Sequence, residues 1–337
     1  MTRSAARAGE RVAHALAWAA LAALLGWAAL ALAISPILPE RLASAGAAAF
    51  AAVVLGSAAA LRPWRHAFAL LAALGLGVLA AYLSLPATND RDWAPDVART
   101  PWASIGGDQV VLHEVRNFDY RTETDYAERW EERHYDLAKL ATVDLSLTYW
   151  GSPHIAHTIV SFGFTDGQYL AVSIETRRER TESYSATRGF FRQYELAYVF
   201  ADERDLLRLR TNYRQGEEVY LYRIDATPER ARALFLDYVH TATELAHEPR
   251  WYNALTGNCT TNIRAHVQNS GPAQPWSWQL LANGHLDELL YARGAIDTSL
   301  PLAELRKRVW INERARAADQ APDFSQRIRE GLPGMGS

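Results

Sequence analysis

The sequence holds a single cysteine, Cys259, in 337 residues. No internal disulfide can form, and no second thiol is present for a zinc ribbon or a redox CxxC pair. Positive charge is not in excess: 35 Lys and Arg stand against 38 Asp and Glu, which argues against a nucleic-acid binder. No internal repeat occurs, and no low-complexity tract beyond an Ala-rich front. That front is where charge is missing. Apart from His14, residues 12–34 carry no ionisable side chain of Asp, Glu, Lys, Arg or His, and residues 42–61 and 67–85 carry none at all. At about 1.5 Å per residue, runs of this length span the roughly 30 Å apolar core of a bilayer. Residues 1–86 are therefore expected to form a three-helix membrane anchor. With no Asp, Glu, Lys or Arg inside the runs, nothing suggests an ion or proton pathway.

The flanks give an orientation. Arg3, Arg7 and Arg11 precede the first run and Arg62 and Arg65 separate the second from the third, while Glu40 and Arg41 follow the first. The positive-inside bias puts the N-terminus in the cytoplasm and everything after residue 86 outside. Ala31-Leu32-Ala33 resembles a signal-peptidase site, but the apolar run exceeds the usual 7 to 15 residues, about what a signal peptide needs. Cleavage would leave the C-terminal part on the same side.

Residues 87–104, with Asp, Pro and Ala prominent, read as a linker into a domain over residues 105–333. Strand character marks 109–118, 141–150, 155–164, 169–176, 190–200 and 218–224. Thr227-Pro228 then opens an amphipathic helix with Ala231, Leu234, Phe235, Tyr238, Val239, Ala242 and Leu245 on one face. Further helices are expected at 258–268, 276–282, 286–291 and 301–318. The fold class is α+β, with an antiparallel sheet ahead of the helices.

Cys259 follows Gly257-Asn258 at the start of the expected 258–268 helix. A helix N-terminus stabilises a thiolate, and its free N–H groups can meet an oxyanion. A lone cysteine is commonly a small buried hydrophobe, yet this one stands among Asn258, Thr260, Thr261 and Asn262, which favours chemistry. Its base is His157, on a strand face shared with Ile159, Ser161 and Gly163. If Thr165-Asp166-Gly167 is a three-residue hairpin loop, Phe164 pairs with Gln168 and His157 falls opposite Glu175, the third member of a triad. Asn258, Ser161, Trp251, Tyr252 and Arg177 are the candidate substrate-binding residues. Their plainer readings are aromatic core for Trp251 and Tyr252, and a solvated charged face for the run from Arg177 to Arg180. His154 and His157 lack a further ligand at useful spacing, so neither metal nor cofactor is expected.

The order His157, Glu175, Asn258-Cys259 resembles the circularly permuted branch of the papain-like NlpC/P60 superfamily. More specifically, residues 157–164 (HTIVSFGF), 173–177 (SIETR), 251–253 (WYN), 258–262 (NCTTN) and 294–297 (GAID) resemble the periplasmic domain of Lnb-type lipoprotein N-acyltransferases. The resemblance implies thiol-dependent acyl transfer outside the cytoplasmic membrane, with Cys259 as nucleophile, His157 as base and Glu175 as third member. A membrane lipid or lipoprotein is then the expected partner, and an ester or amide carbonyl the point of attack, through a thioester whose acceptor is an amine or water. A cell-wall peptidase or amidase of the same fold and a non-enzymatic envelope scaffold are the competing readings.

Overall fold

The computed structural model describes residues 2–272 and 274–335, with side chains from residue 7 onward, so the side chain of Arg3 lies outside the description. The chain divides into two units. The first takes the residues up to 87 together with 184–194. Its helices are α1 (Thr2–Ile34), α2 (Glu40–Ala60) and α3 (Trp64–Leu83). They pack through Leu21, Leu25 and Leu71, with Trp18, Phe50, Val54 and Phe68 around them. Their outer faces leave Leu16, Leu30, Val53, Leu55 and Leu76 exposed. Arg7–Ile34, Glu40–Ala60 and Trp64–Leu83 are each long and apolar enough to cross a membrane. Apolar side chains pointing both inward and outward suit a lipid surrounding, where no water penalises them.

The second unit holds the remaining residues. Its strands are β1 (Trp102–Gly106), β2 (Gln109–Arg116), β3 (Asp119–Tyr120), β4 (Tyr126–Ala127), β5 (Trp130–Asp136), β6 (Leu140–Tyr149), β7 (Ala156–Phe164), β8 (Tyr169–Arg177), β9 (Glu195–Ala201) and β10 (Glu218–Ile224). The main sheet runs β1-β2-β9-β8-β7-β6-β10, and β5 also pairs with β2. All its pairings are antiparallel except the short β2–β9 contact. The helices are α4 (Glu203–Arg208), α5 (Pro228–His247), α6 (Cys259–Asn269), α7 (Leu286–Ala292), α8 (Leu302–Val309), α9 (Asn312–Ala317) and α10 (Phe324–Arg327).

The central strands are buried on both faces, which is why they read as nearly unbroken apolar runs. On one face Phe235 of α5 meets Phe162 and Phe164, with ring centroids 5.1 and 5.9 Å apart. The seven residues that helical spacing assigns to the inner face of α5 are its buried residues, and Thr227 caps it by accepting from the Arg230 N–H. On the other face Ile159, Ala171, Val199, Leu221, Ile311 and Phe324 form a second core.

Some expectations need correction. The stretch 87–104 is not a free linker, because residues from Thr88 onward are built into the second unit. Asn89 donates to the carbonyls of Leu245 and Ala246 at the end of α5, and Trp93 is buried. Backbone bonds join Ala94 to Arg178 and Arg180 to Asp92. Arg177 is the centre of this seam: it donates to the Val97 and Ala98 carbonyls and lies over the Trp93 ring at 4.5 Å. The helix expected over 301–318 breaks in two because Trp310 and Ile311 bridge to Tyr220 and Val219 on the open edge of β10. β5, rich in charge, gave no strand signal, since it lies at the margin of the sheet with partly exposed residues.

Replacing Arg177 with Met leaves two carbonyls unpaired in a dry seam, an expected loss of about 2–4 kcal/mol. Hydrogen exchange over residues 88–98 accelerates in this variant, while the alkylation rate of Cys259 stays at its wild-type value.

Candidate active site

The hairpin between β7 and β8 fixes the geometry. Phe164 N–H donates to Gln168 O at 2.9 Å, Gly167 N–H donates to Phe164 O at 3.0 Å, and Gly167 takes φ of +86°, which glycine adopts without strain. The register runs from Gly163↔Tyr169 to Ile159↔Ser173. Two places further, His157 stands opposite Glu175: its Nε2 is 3.1 Å from Glu175 Oε1 and 2.7 Å from Ser173 Oγ. Ser173 in turn donates to Glu175 Oε1 at 2.6 Å. With Nε2 committed on this side, Nδ1 is the nitrogen left for the thiol, which shares a hydrogen bond with His157.

Cys259 is the first residue of α6 and partly buried. Asn258 and Thr261 form a reciprocal capping box, each side chain accepting from the other's N–H at 2.9 Å. This leaves the N–H groups of Cys259 and Thr260, which by helix geometry have no acceptor within the helix, at the end beside the thiol. The Thr260 hydroxyl is 3.8 Å from Sγ. Asn283 holds the two halves of the site together. Its side chain accepts from Ala156 N–H at 2.9 Å, donates to Ala156 O at 2.6 Å and donates to Thr260 Oγ1 at 2.7 Å. The start of the His157 strand is thereby bonded to the start of the Cys259 helix.

The electrostatics follow from these contacts. Burial pushes the Cys259 thiol up, but hydrogen bonding and the charge of His157, with help from Thr260, bring it down to about 7. Burial pulls His157 down, whereas Glu175 and the thiol more than offset this and raise it above the ordinary imidazole value. Burial works against the Glu175 carboxylate as well, yet His157, Arg210 and Ser173 hold it well below the usual range. Arg210 lies 3.4 Å from Glu175 Oε1 and 3.3 Å from Glu217 Oε2. It comes from a single turn of π-helix, Leu209–Tyr213, that follows α4. Such turns recur at functional sites.

The five expected substrate-binding residues lie elsewhere or are spent on structure. Asn258 uses its carboxamide in the cap and on Ala254 O. Ser161 is four residues along β7 from His157, about 13 Å, buried and bonded to Glu203 in an Arg329–Glu203–Asp144 cluster. Arg177 clamps residues 97–98, and the charges after it are paired, Arg178 with Asp96 and Glu179 with Arg91. Trp251 bridges by its backbone to Glu195 with Arg91 over its ring at 5.3 Å, and Tyr252 is buried. Ser173, Arg210 and Asn283 are the residues that sequence reasoning missed. Alternation along β8 puts Ser173 on the face of Glu175, a legible signal; Arg210 and Asn283 act across distant loops and leave none. His154 pairs with His285 at 2.9 Å rather than with His157. Among the described residues no group of three or more His, Cys, Asp or Glu is placed to hold a metal.

A cleft of about 660 Å³ between residues 132–134, 166–169 and 322–326 contains none of these side chains. A smaller one of about 380 Å³, lined by Tyr149, Ser152, Gly284, His285, Glu288 and Arg306, adjoins Asn283 through Gly284.

Residues 126–284, which carry His157, Ser173, Glu175, Arg210, Cys259 and Asn283, match the family model of the Lnb N-terminal periplasmic domain. This stretch is an Lnb-type periplasmic domain. No curated protein and no solved structure matches it. With three apolar helices ahead of it, the Lnb domain makes this a membrane-anchored protein with a periplasmic domain and an envelope-related role.

Because the thiolate is the species that alkylates, the rate of Cys259 modification by iodoacetamide rises with a midpoint near pH 7 in the wild type. In His157→Ala the midpoint moves up toward the ordinary thiol value of about 8.5; an unmoved midpoint would show that His157 does not set it. Asn283→Ala keeps both reacting groups but loosens their spacing, and is expected to slow alkylation at pH 7 by about tenfold, within what a small misplacement costs.

Proposed function

We propose that the protein is a periplasmic thiol acyltransferase or hydrolase that takes acyl groups from membrane lipid or lipoprotein through a Cys259 thioester. The domain is read as a circularly permuted papain-like fold. The anchor is read as three spans with the N-terminus in the cytoplasm, by the arginines ahead of the first span and between the second and third. The observation that carries the reading is the continuous chain of contacts from Cys259 through His157 to Ser173 and Glu175, with a thiol drawn down to about 7 beside an imidazole drawn up.

In the first step the Cys259 thiolate attacks the carbonyl carbon of an acyl ester. Negative charge gathers on the carbonyl oxygen, where the N–H groups of Cys259 and Thr260 and the helix end stabilise it. The tetrahedral adduct collapses, the C–O ester bond breaks, and the departing alkoxide takes the proton from His157 Nδ1. A thioester and an alcohol result. In the second step an amine or water attacks the thioester carbonyl and gives its proton to His157, and the thiolate leaves, yielding an amide or a free acid. Glu175 stays ionised throughout, orienting the imidazole through Nε2 and stabilising its charged form. The cycle balances without a cofactor.

Intact-mass measurement of the purified full chain after incubation with phospholipid tests this. A hydroxylamine-labile fatty-acyl mass on Cys259 is expected in the wild type, absent in Cys259→Ala and formed about 10²–10⁴ times more slowly in His157→Ala. A readily alkylated Cys259 that never acquires an acyl mass would move the substrate to peptides, and an unreactive Cys259 would leave a scaffold.

A further inference from the structure

Among the described residues of the second unit, eight large apolar side chains are more than a third exposed. Two, Trp102 and Ile105, lie on β1. The other six are Trp150, Ile155, Leu255, Trp276, Trp278 and Leu281, and all stand on the three loops that lead into His157, Cys259 and Asn283. Trp150 and Ile155 precede His157, Leu255 precedes Cys259, and Trp276, Trp278 and Leu281 precede Asn283. These loops are fastened to one another. Gly284 N–H donates to His154 O at 3.0 Å, Tyr149 donates to Gly284 O at 2.7 Å, and Asn283 bonds both Ala156 and Thr260. A Cβ at position 284 would collide with the Pro153 backbone oxygen, so the loops ahead of His157 and Asn283 are in backbone contact. Leu255 is set in place by its own N–H donating to Asn253 Oδ1 at 2.9 Å.

We propose that these six side chains form a rim that seats the thiol site in the interfacial layer of a lipid bilayer. This deepens the reading of the site as one that acts on lipid acyl groups, and rests on it for the purpose of the rim. Three observations favour a bilayer over another occupant. Three of the six residues are tryptophan, the side chain most at home where headgroups meet acyl chains. The same chain carries three helices long and apolar enough to cross a membrane, so a bilayer is the apolar phase within covalent reach. The apolar side chains are spread over separate loops around the site and not gathered along one strand or helix, which gives an insertable rim rather than a seam for a partner helix. Seated in this way, Cys259 meets an ester carbonyl at the depth where lipid esters lie, with no need to draw the lipid out of the membrane.

Site-directed spin labelling of the full chain in phospholipid nanodiscs tests the rim. In a Cys259→Ala background, which removes the native thiol and all turnover, Leu255→Cys, Trp276→Cys and Leu281→Cys are labelled singly, with Ile105→Cys on β1 as the comparison. Labels at 255, 276 and 281 are expected to collide readily with oxygen and poorly with an aqueous nickel chelate, and the label at 105 the reverse. Labels at the three rim positions that collide with nickel as freely as the one at 105 overturn the proposal. Rim labels shielded from both reagents overturn it too, because they would be buried against protein, such as a second copy of this chain. Since no chemistry occurs in this background, the result is independent of whether Cys259 is acylated, and a rim found in the bilayer stands even if no acyl adduct forms.

Discussion

The register of the β7–β8 hairpin is the constraint on which the site depends. Alternation along a strand has a period of two, so a slip of one residue would turn His157 to the opposite face and break its contact with Ser173 and Glu175 at once. Two features hold the register. Gly167 closes a three-residue loop in a conformation with positive φ, and both strands are buried on both faces, so a slip would force Ser161 and Ser173 to exchange places with Val160 and Val172. The apolar core thus stabilises one imidazole–carboxylate pairing.

Placing the thiol is a separate problem, solved at both ends of α6. At its C-terminal end His266 is stacked on Tyr238 at 3.8 Å and bonded to Asp237 at 2.6 Å and to Tyr198 at 2.6 Å. Burial, against the pull of Asp237, keeps His266 below the usual imidazole value, so the neutral ring donates to the carboxylate and accepts from the phenol. That ties α6 to α5 and to β9 together. At the N-terminal end Asn283 ties Thr260 to Ala156. A helix held at one end alone could still pivot by an ångström or more at the other, and a thiol–imidazole contact tolerates little of that.

Sequence reasoning reached what short-range rules control. The inner face of α5 follows from helical spacing, the start of α6 at Cys259 from the Gly257-Asn258 turn signal, and the opposition of His157 and Glu175 from the length of one loop. It went astray where a residue's partner lies far along the chain. Arg177 looked like a solvated or substrate-binding cation, because nothing local announces that residues 88–98 fold back over it and offer their carbonyls. Ser161 shares a strand face with His157, but a face is long, and four residues carry it into the Glu203–Arg329 cluster instead. Residues 87–104 looked like a linker by composition, yet Trp93 and Val97 bury and Asn89 caps the end of α5. Asn283 sits in an Asn-Gly pair that signals a turn, while the two elements that the turn joins stay hidden until the fold is known.

Arg210 poses the subtler electrostatic point. A cation beside Glu175 helps to keep the carboxylate ionised, but the same charge disfavours a proton on His157. Alone, Glu175 would raise the imidazole further. Arg210 restrains it, and the paired Glu217 offsets part of the Arg210 charge in turn. The imidazole is thereby raised without being locked, next to a thiol at about 7. An imidazole drawn up beside a thiol drawn down suits the proposed chemistry, in which the pair would pass one proton to a leaving alcohol and recover one from the acceptor within each turnover.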